Sequence, residues 1–408
     1  MSGTYFIESL LNLEEGCVKE FSDSGGKILM QVEFSRKPCS CPQCRTTTEK
    51  AKVKDYRLQK IHAGCFNDRQ IYAVVRKRRV LCPHCGRTFY EPIPDVGRYQ
   101  RRTGSVQQTV LMDCGKMMSF SDVARKHGVS QPTVTRIFER ISYRRPGTLP
   151  QVLSIDEFKG HTNQEKYQVA LNDPVAREPL DILPSRNTEQ LIQYFMQFSR
   201  RERLNVKIIV MDLSSLFRKV VRTVFPHATV VGDRFHIQRL VLRAMENVRK
   251  NVQKELPDGI HVKRNKSILQ KSGITLKADE LNTLRKILDR SAKLRKAYAL
   301  KECFRSIVRH FRTAERFGTH LDTWLQLVKE SRLDEFRNLL RSFGDWRAEI
   351  IGGMTSEYSN GYTEGLNDRI KVIKRIAFGF RNFERFRKKI LFSCSYAKYQ
   401  RKCSMEAA

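Results

Sequence analysis

Leu153-Ser154-Ile155-Asp156 and Ile208-Ile209-Val210-Met211-Asp212 are the stretches on which the reading of the fold turns. Each is a short apolar run ending in aspartate, too short for a helix and suited to a buried strand. The texture around them is the same. Short apolar runs at 152–155, 167–171, 179–183, 206–211 and 228–231 predict strands, and the period over 188–198 predicts a helix between the third and the fourth. Such alternation means mixed α/β structure for residues 151–250. An aspartate at the end of a buried strand is ordinarily a turn or cap residue. Here two of them recur in a defined order: strand with Asp, two strands, helix, strand with Asp.

In a ribonuclease H-like fold the first and fourth strands are neighbours, so this order would set Asp156 and Asp212 side by side. Two carboxylates at close range cannot both ionise cheaply. A divalent cation resolves the conflict, and Mg²⁺ (or Mn²⁺) is the hard ion that binds through few carboxylates and keeps water and phosphate as its other ligands. A third acid is expected from a later helix. It is read as Glu364 in Asn360-Gly361-Tyr362-Thr363-Glu364-Gly365-Leu366-Asn367-Asp368-Arg369-Ile370-Lys371. Glu364, Asn367 and Lys371 stand at i, i+3 and i+7, on one helix face. Glu357 is a rival one heptad earlier, and for both the plain alternative is a solvent-exposed helix.

Working toward the N-terminus, residues 1–95 carry two Cys-x-x-Cys knuckles, Cys41-Pro42-Gln43-Cys44 and Cys82-Pro83-His84-Cys85. One knuckle could be redox-active. Two supply the four soft ligands of a structural Zn²⁺. Beside the second lies Arg76-Lys77-Arg78-Arg79, either a solvated basic strand or a phosphate contact. Residues 96–150 read as a helix-turn-helix. A short helix over 120–127 is closed by Gly128, and Ser130 caps a second helix that tolerates Pro132 in its first turn. Gln131, Thr133, Thr135 and Arg136 would face outward, where a recognition helix meets base edges. A plain helical hairpin is the alternative.

The whole chain has 408 residues, with Lys+Arg 76 against Asp+Glu 43, a formal charge of +33. That balance points to a polyanion, nucleic acid before a membrane surface. Apolar content of 40% and 13 prolines exclude a disordered or collagenous chain. No apolar run approaches the roughly 18 residues needed to span a bilayer. Residues 1–15 lack the basic region of a secretory signal. Eleven scattered cysteines suit a reduced, cytoplasmic compartment. Residues 251–345 read as charged helix throughout. The C-terminal zone over 371–390 carries Lys371, Lys374, Arg375, Arg381, Arg385, Arg387, Lys388 and Lys389 against Glu384 alone. Its phenylalanines are expected to pack on the sheet, with Lys371, Lys374 and Arg375 left for phosphates.

Asp156-Glu157-Phe158, Met211-Asp212-Leu213-Ser214, Gly232-Asp233-Arg234-Phe235-His236, the Glu364 segment and Gly379-Phe380-Arg381-Asn382-Phe383-Glu384-Arg385-Phe386 follow one another in that order. In this the chain resembles bacterial insertion-sequence transposases of the DDE type, and more narrowly the "ISL three" family. The resemblance spans nearly the whole chain. It implies a catalytic triad at Asp156, Asp212 and Glu364, with a long helical insertion before Glu364. Asp233 and His236 match an Asp-x-x-His signature of related transposases. Either they support the metal site, or Asp233 only caps a helix and His236 only packs. Asp368 departs from the family pattern, where a second Asn is expected after Asn367.

The fold expected is therefore α+β and multidomain. A zinc ribbon (1–95) and a helix-turn-helix (96–150) precede a ribonuclease H-like mixed α/β core (151–250 and 346–408), which a helical insertion (251–345) interrupts. The implied function is metal-dependent DNA cleavage and strand transfer at the terminal inverted repeats of a mobile element. Double-stranded DNA, as ends and as target, is the implied partner. A homodimer or larger synaptic complex would act in the bacterial cytoplasm, at the nucleoid and not at a membrane. A zinc-ribbon and helix-turn-helix regulator without catalysis, or a related ribonuclease H-like nuclease, are the alternatives.

Overall fold

The computed structural model describes Glu8 and residues 17–48, 51–255 and 262–406. Apart from Glu8, the stretch read for a secretory signal lies outside the described residues. The chain divides into two compact units. One gathers Met1–Tyr143, Val372–Phe380 and Glu384–Ala408; the other gathers Arg144–Lys371 and Arg381–Phe383.

In the first unit, β1 (Val18–Ser24), β2 (Lys27–Val32), β5 (Lys52–Phe66), β6 (Arg69–Leu81) and β7 (Thr88–Tyr90) form one sheet. Its order is β1-β2-β6-β5, with β7 paired to β6. The long β5–β6 hairpin turns at Asn67 and Asp68, both at positive φ, as a tight turn requires. β3 (Cys39–Ser40) and β4 (Thr47–Thr48) form a minimal hairpin around the first knuckle. Three helices follow: α1 (Gly104–Gly115), α2 (Phe120–Lys126) and α3 (Gln131–Phe138). They close over Val106, Val110, Cys114, Val123, Val134, Ile137 and Phe138. Gly128 turns the chain between α2 and α3 at φ +59°, a conformation that side chains with a Cβ rarely adopt.

The second unit is built on β8 (Val152–Lys159), β9 (Tyr167–Asp173), β10 (Glu178–Leu183), β11 (Ile208–Met211) and β12 (Thr229–Gly232). The five expected strands form, and the order is β10-β9-β8-β11-β12. β8, β9 and β10 are antiparallel, while β11 runs parallel to both β8 and β12. Leu153 and Ile155 of β8 join Ile209 and Met211 of β11 on one face, under α4 (Thr188–Met196) and α6 (Ser215–Val224), with α5 (Arg200–Asn205) between them in sequence. Val152, Val210 and Val231 form an apolar cluster with Tyr358. The alternation follows from the two-residue period of a strand covered on both sides.

After β12 the chain becomes helical: α7 (Arg234–Glu255), α8 (Lys266–Gln270), α9 (Ala278–Asp289), α10 (Ala292–His310), α11 (Ala314–Glu330), α12 (Asp334–Asp345) and α13 (Arg347–Thr355). They share a core around Phe304, Trp324 and Phe343, and Trp324 Nε1 donates to Leu300 O at 2.8 Å. α13 returns to the sheet at Gly353, where a Cβ would collide with the Gly232 carbonyl. That close approach places the following helix, α14 (Gly361–Ile376), against β8 and β9.

The last helix, α15 (Phe383–Glu406), differs from expectation. Phe378, expected to pack, is 99% exposed, while Phe392, beyond the run read from sequence, packs with the helix-turn-helix core. Several of its cations are structural. Arg385 pairs with Glu139, and Arg387 Nη1 donates to Tyr143 O at 3.1 Å. Lys389 is 3% exposed and donates to Cys114 O, Lys116 O and Met118 O. It thereby satisfies carbonyls at and beyond the open C-terminal end of α1. Part of the dense run of cations thus contributes to stability. Among the described residues no helix is long and apolar enough to cross a membrane.

Candidate active site

The pairing Ile155↔Met211 brings β8 and β11 to the same level, and each continues into an aspartate, Asp156 and Asp212. β12 lies on the other side of β11 and ends at Gly232, so Asp233 follows at the neighbouring position. Three carboxylates therefore emerge from three adjacent parallel strands. Asp156 is 5% exposed. Its Oδ1 accepts from Glu157 N at 2.8 Å and its Oδ2 from Asn367 Nδ2 at 2.7 Å. Burial, and then the charge of Asp212, push its carboxyl up to about 7.

His236 stands between the other two acids. Its Nδ1 lies 2.7 Å from Asp233 Oδ2 and 2.8 Å from Asp212 Oδ1. The two carboxylates, Asp212 first, hold its imidazole up to about 10, so it is cationic at neutral pH. Asp233 Oδ1 also accepts from Phe235 N at 3.1 Å. Asp233 thus caps α7 and orients His236 at once. The single Nδ1 proton satisfies Asp233, leaving Asp212 Oδ1 buried without a hydrogen bond. Asn367 Oδ1 is a second buried oxygen without a donor. The carboxylates of Asp212 and Asp233 place oxygens within 4.8 Å of each other, beside the His236 ring. Crowded carboxylates with undonated oxygens are a donor set that fits a hard divalent cation.

Asp156 and Glu364 are not members of that tightest cluster. Glu364 is exposed on the first turn of α14, and its carboxyl is raised by desolvation and then by the charge of Asp233. Glu357 lies before α14 begins, bonded to Tyr358, so it does not share the helix face. Lys371 pairs with Asp368 at 2.8 Å in solvent. Lys374 and Arg375 occupy the last turn of α14.

A polar chain that the sequence did not reveal fixes α14. Asn172 Nδ2 donates to Thr363 Oγ1 at 3.1 Å, Thr363 meets Ser154 at 2.8 Å, and Ser154 Oγ donates to Asn360 Oδ1 at 2.5 Å. All four residues are buried. Ser154 and Asp156 lie on one face of β8, and Thr363 and Asn367 are one turn apart on α14. The chain therefore carries Asn367 to Asp156. The available signal was only position: small polar residues two before Asp156 and one before Glu364.

In the first unit the four knuckle sulfurs converge. Cys41 Sγ is 3.7 Å from Cys85 Sγ, and Cys44 Sγ is 3.7 Å from Cys82 Sγ. A tetrahedron with metal–sulfur bonds of about 2.3 Å has edges of about 3.8 Å, so the set fits zinc. Hydrogen bonds at Thr46 pull the Cys44 thiol down to about 6. The Arg87 amide lowers that of Cys85, but burial and the neighbouring sulfurs outweigh it and push it up to about 11.

Around the ribbon, Arg76 is exposed and lies over the Tyr56 ring at 4.0 Å, and Lys77 lies 5.6 Å from the Tyr90 centroid. Arg76 also pairs with Glu33 at 3.7 Å, Arg78 pairs with Glu33 and Glu91, and Arg79 pairs with Asp55. On α3, Gln131 and Arg136 are exposed and Thr135 is half-buried. Together with Pro132 and Glu139 they border a recess of about 440 Å³. Thr133 does not face outward. It is buried, meets Ser130 Oγ at 3.0 Å, and so serves the start of the helix.

Comparison with known proteins agrees with this order of parts. A family model described as "Transposase" matches residues 153–390, and one described as "Helix-turn-helix domain of transposase family ISL3" matches residues 91–142. The chain is 23% identical over 382 residues to the transposase for insertion sequence element IS1001 of Bordetella parapertussis, covering 90% of this chain and 92% of that one. A shorter stretch of 56 residues is 41% identical to an ATP-dependent protease of Lactococcus lactis subsp. lactis, over 14% of this chain and 18% of that one. The first two matches take in the strands, the acids and the helix-turn-helix together, and the chain belongs to the ISL3 family of insertion-sequence transposases, which bind DNA and move it.

Proposed function

We propose that Asp156, Asp212 and Glu364 are the catalytic carboxylates, on a ribonuclease H-like sheet, and that the chain cuts DNA at the ends of its element and joins them to a target. The observation that carries this is the delivery of Asp156 and Asp212 from adjacent parallel strands, with α14 held beside Asp156 by Asn367. The strand order, three antiparallel followed by two parallel, supports the ribonuclease H-like assignment.

Mg²⁺ or Mn²⁺ held by these acids would supply Lewis acidity toward the attacking and leaving oxygens. The chain's own residues supply position and charge. Asn367 and the Glu157 amide fix the two oxygens of Asp156. His236 balances Asp212 and Asp233, which lets three acids stand close together. In cleavage, water attacks the scissile phosphorus, the P–O3′ bond breaks and the 3′-oxygen leaves as a hydroxyl. In strand transfer that 3′-hydroxyl attacks a target phosphodiester in the same way. Little covalent chemistry is asked of the protein.

Cys41, Cys44, Cys82 and Cys85 would hold a structural Zn²⁺ that sets the ribbon. Gln131, Thr135 and Arg136 would read the terminal inverted repeats, and Arg76 and Lys77 would touch phosphate. Two ends must be joined, so the working form is a homodimer or a larger synaptic complex. The family match across the acid-bearing segment weighs against a regulator without catalysis. A pre-cut end carrying a free 3′-hydroxyl separates transposase from nuclease. The expected product is a joined strand; cutting without joining would favour the nuclease.

A further inference from the structure

One wall of the Asp212 site is built of arginines. A cleft of about 330 Å³ is lined by Asp212, His236, Glu157, Arg186, Arg239 and Arg243, among others. Its three guanidiniums are not equivalent. Arg186 pairs with Glu157 at 2.8 Å and lies over the Tyr167 ring at 4.2 Å, so it is a fixed wall and the one further acid is already neutralised. Arg239 and Arg243 are exposed on α7, and among the described residues neither forms an ion pair.

His236, Arg239 and Arg243 stand at i, i+3 and i+7 of α7, on one face. The two arginines are one turn apart, a rise of about 6 Å, on the scale at which phosphates of one strand succeed each other. Guanidiniums match phosphate oxygens as planar forks. His236 is taken by Asp212 and Asp233, but among the described residues no carboxylate pairs with Arg239 or Arg243, so their charge is available to an anion in the cleft. Resting on the reading of Asp212 as a catalytic acid, we propose that Arg239 and Arg243 clamp two successive phosphates of the strand being cut, next to the scissile phosphate.

The clamp predicts a binding effect that does not depend on chemistry. End binding is titrated against salt without added divalent cation, using the full chain and two duplexes. One duplex extends through the cleavage position on both sides; the other stops several base pairs inside the element. Each lost phosphate contact lowers the salt slope by about 0.9, so Arg239→Gln with Arg243→Gln should lower it by about 1.8 on the long duplex. On the short duplex the variant and the wild type should agree. Arg239→Lys with Arg243→Lys should keep the slope, which separates lost charge from lost folding. An unchanged slope on the long duplex, or equal losses on both, would overturn the clamp. Asp212→Ala keeps the two failures apart. If it cuts normally while the arginine pair still loses slope, the active-site reading fails and the phosphate site stands. If it is inactive and the arginine slope is unchanged, the clamp alone fails.

Discussion

Without the Asn367 amide, Asp156 Oδ2 would be buried with no donor in place of the contact now at 2.7 Å. Partners that orient a metal-binding carboxylate are typically worth 10–100-fold in activity. Asn367→Ala should therefore slow end cleavage by about that factor at unchanged end affinity; a wild-type rate would remove Asn367 from the site. Asp113 gives a pH prediction away from the chemistry. Burial would raise its carboxyl, but hydrogen bonds from Lys116, Lys126 and His127 outweigh it and hold it at about 2, against an ordinary 3.8. A depressed carboxylate contributes stability that is complete above its unfolded value and lost as pH falls through the folded one. The shift corresponds to about 2 kcal/mol. Asp113→Asn should lower melting temperature at neutral pH and flatten its fall between pH 4 and 2; parallel curves for variant and wild type would contradict this. At this scale Asp156 and Asp212 were legible because each closes a short apolar run, although β8 continues past Asp156 to Lys159 and only Asp212 follows a strand end. Ser154, Asn172, Asn360 and Thr363 were not, because a small buried polar residue is defined by partners distant in sequence.

Among elements, the four-cysteine ribbon and α14 carry distinct expectations. Thiolate ligation couples metal binding to folding. Protein purified without chelator should hold one zinc per chain, and Cys44→Ser should lose it together with the β3–β4 hairpin signal in hydrogen exchange. Zinc-free protein with the same protection would contradict the assignment. α14 depends on the Thr363 hydroxyl, which connects Ser154 and Asn172. Thr363→Val keeps the shape and leaves both partners short of a hydrogen bond, at a cost of about 1–3 kcal/mol. It should lower both stability and cleavage rate; a loss of stability with full activity would show that α14 needs no such register. The strands, and the two helices about Gly128, were legible from period and turn chemistry. The role of α15 was not. Its basic run looks alike whether cations meet phosphate or, as Lys389 does, the carbonyls at a helix end.

For the molecule as a whole, a formal charge of +33 makes affinity for any duplex steeply dependent on salt. Binding of element ends and of unrelated DNA should both weaken as salt rises, with the difference between them carried by α3. Charge and the order of motifs made the class of partner and the sequence of parts readable. The division of α14 and α15 between two compact units was not, because it depends on contacts between residues some two hundred and fifty positions apart, such as Arg385 with Glu139. In the proposed function Asp156, Asp212 and Glu364 perform the chemistry while other residues supply affinity. The most direct measurement is cleavage of an element-end duplex by Asp156→Ala, Asp212→Ala and Glu364→Ala, with end binding measured on the same preparations. Each should lose cleavage by about a thousandfold or more, equivalent to about 4 kcal/mol of barrier, and bind the end nearly as wild type does. Normal cleavage by any of the three, or its loss in Glu357→Ala with Glu364→Ala active, would contradict the account.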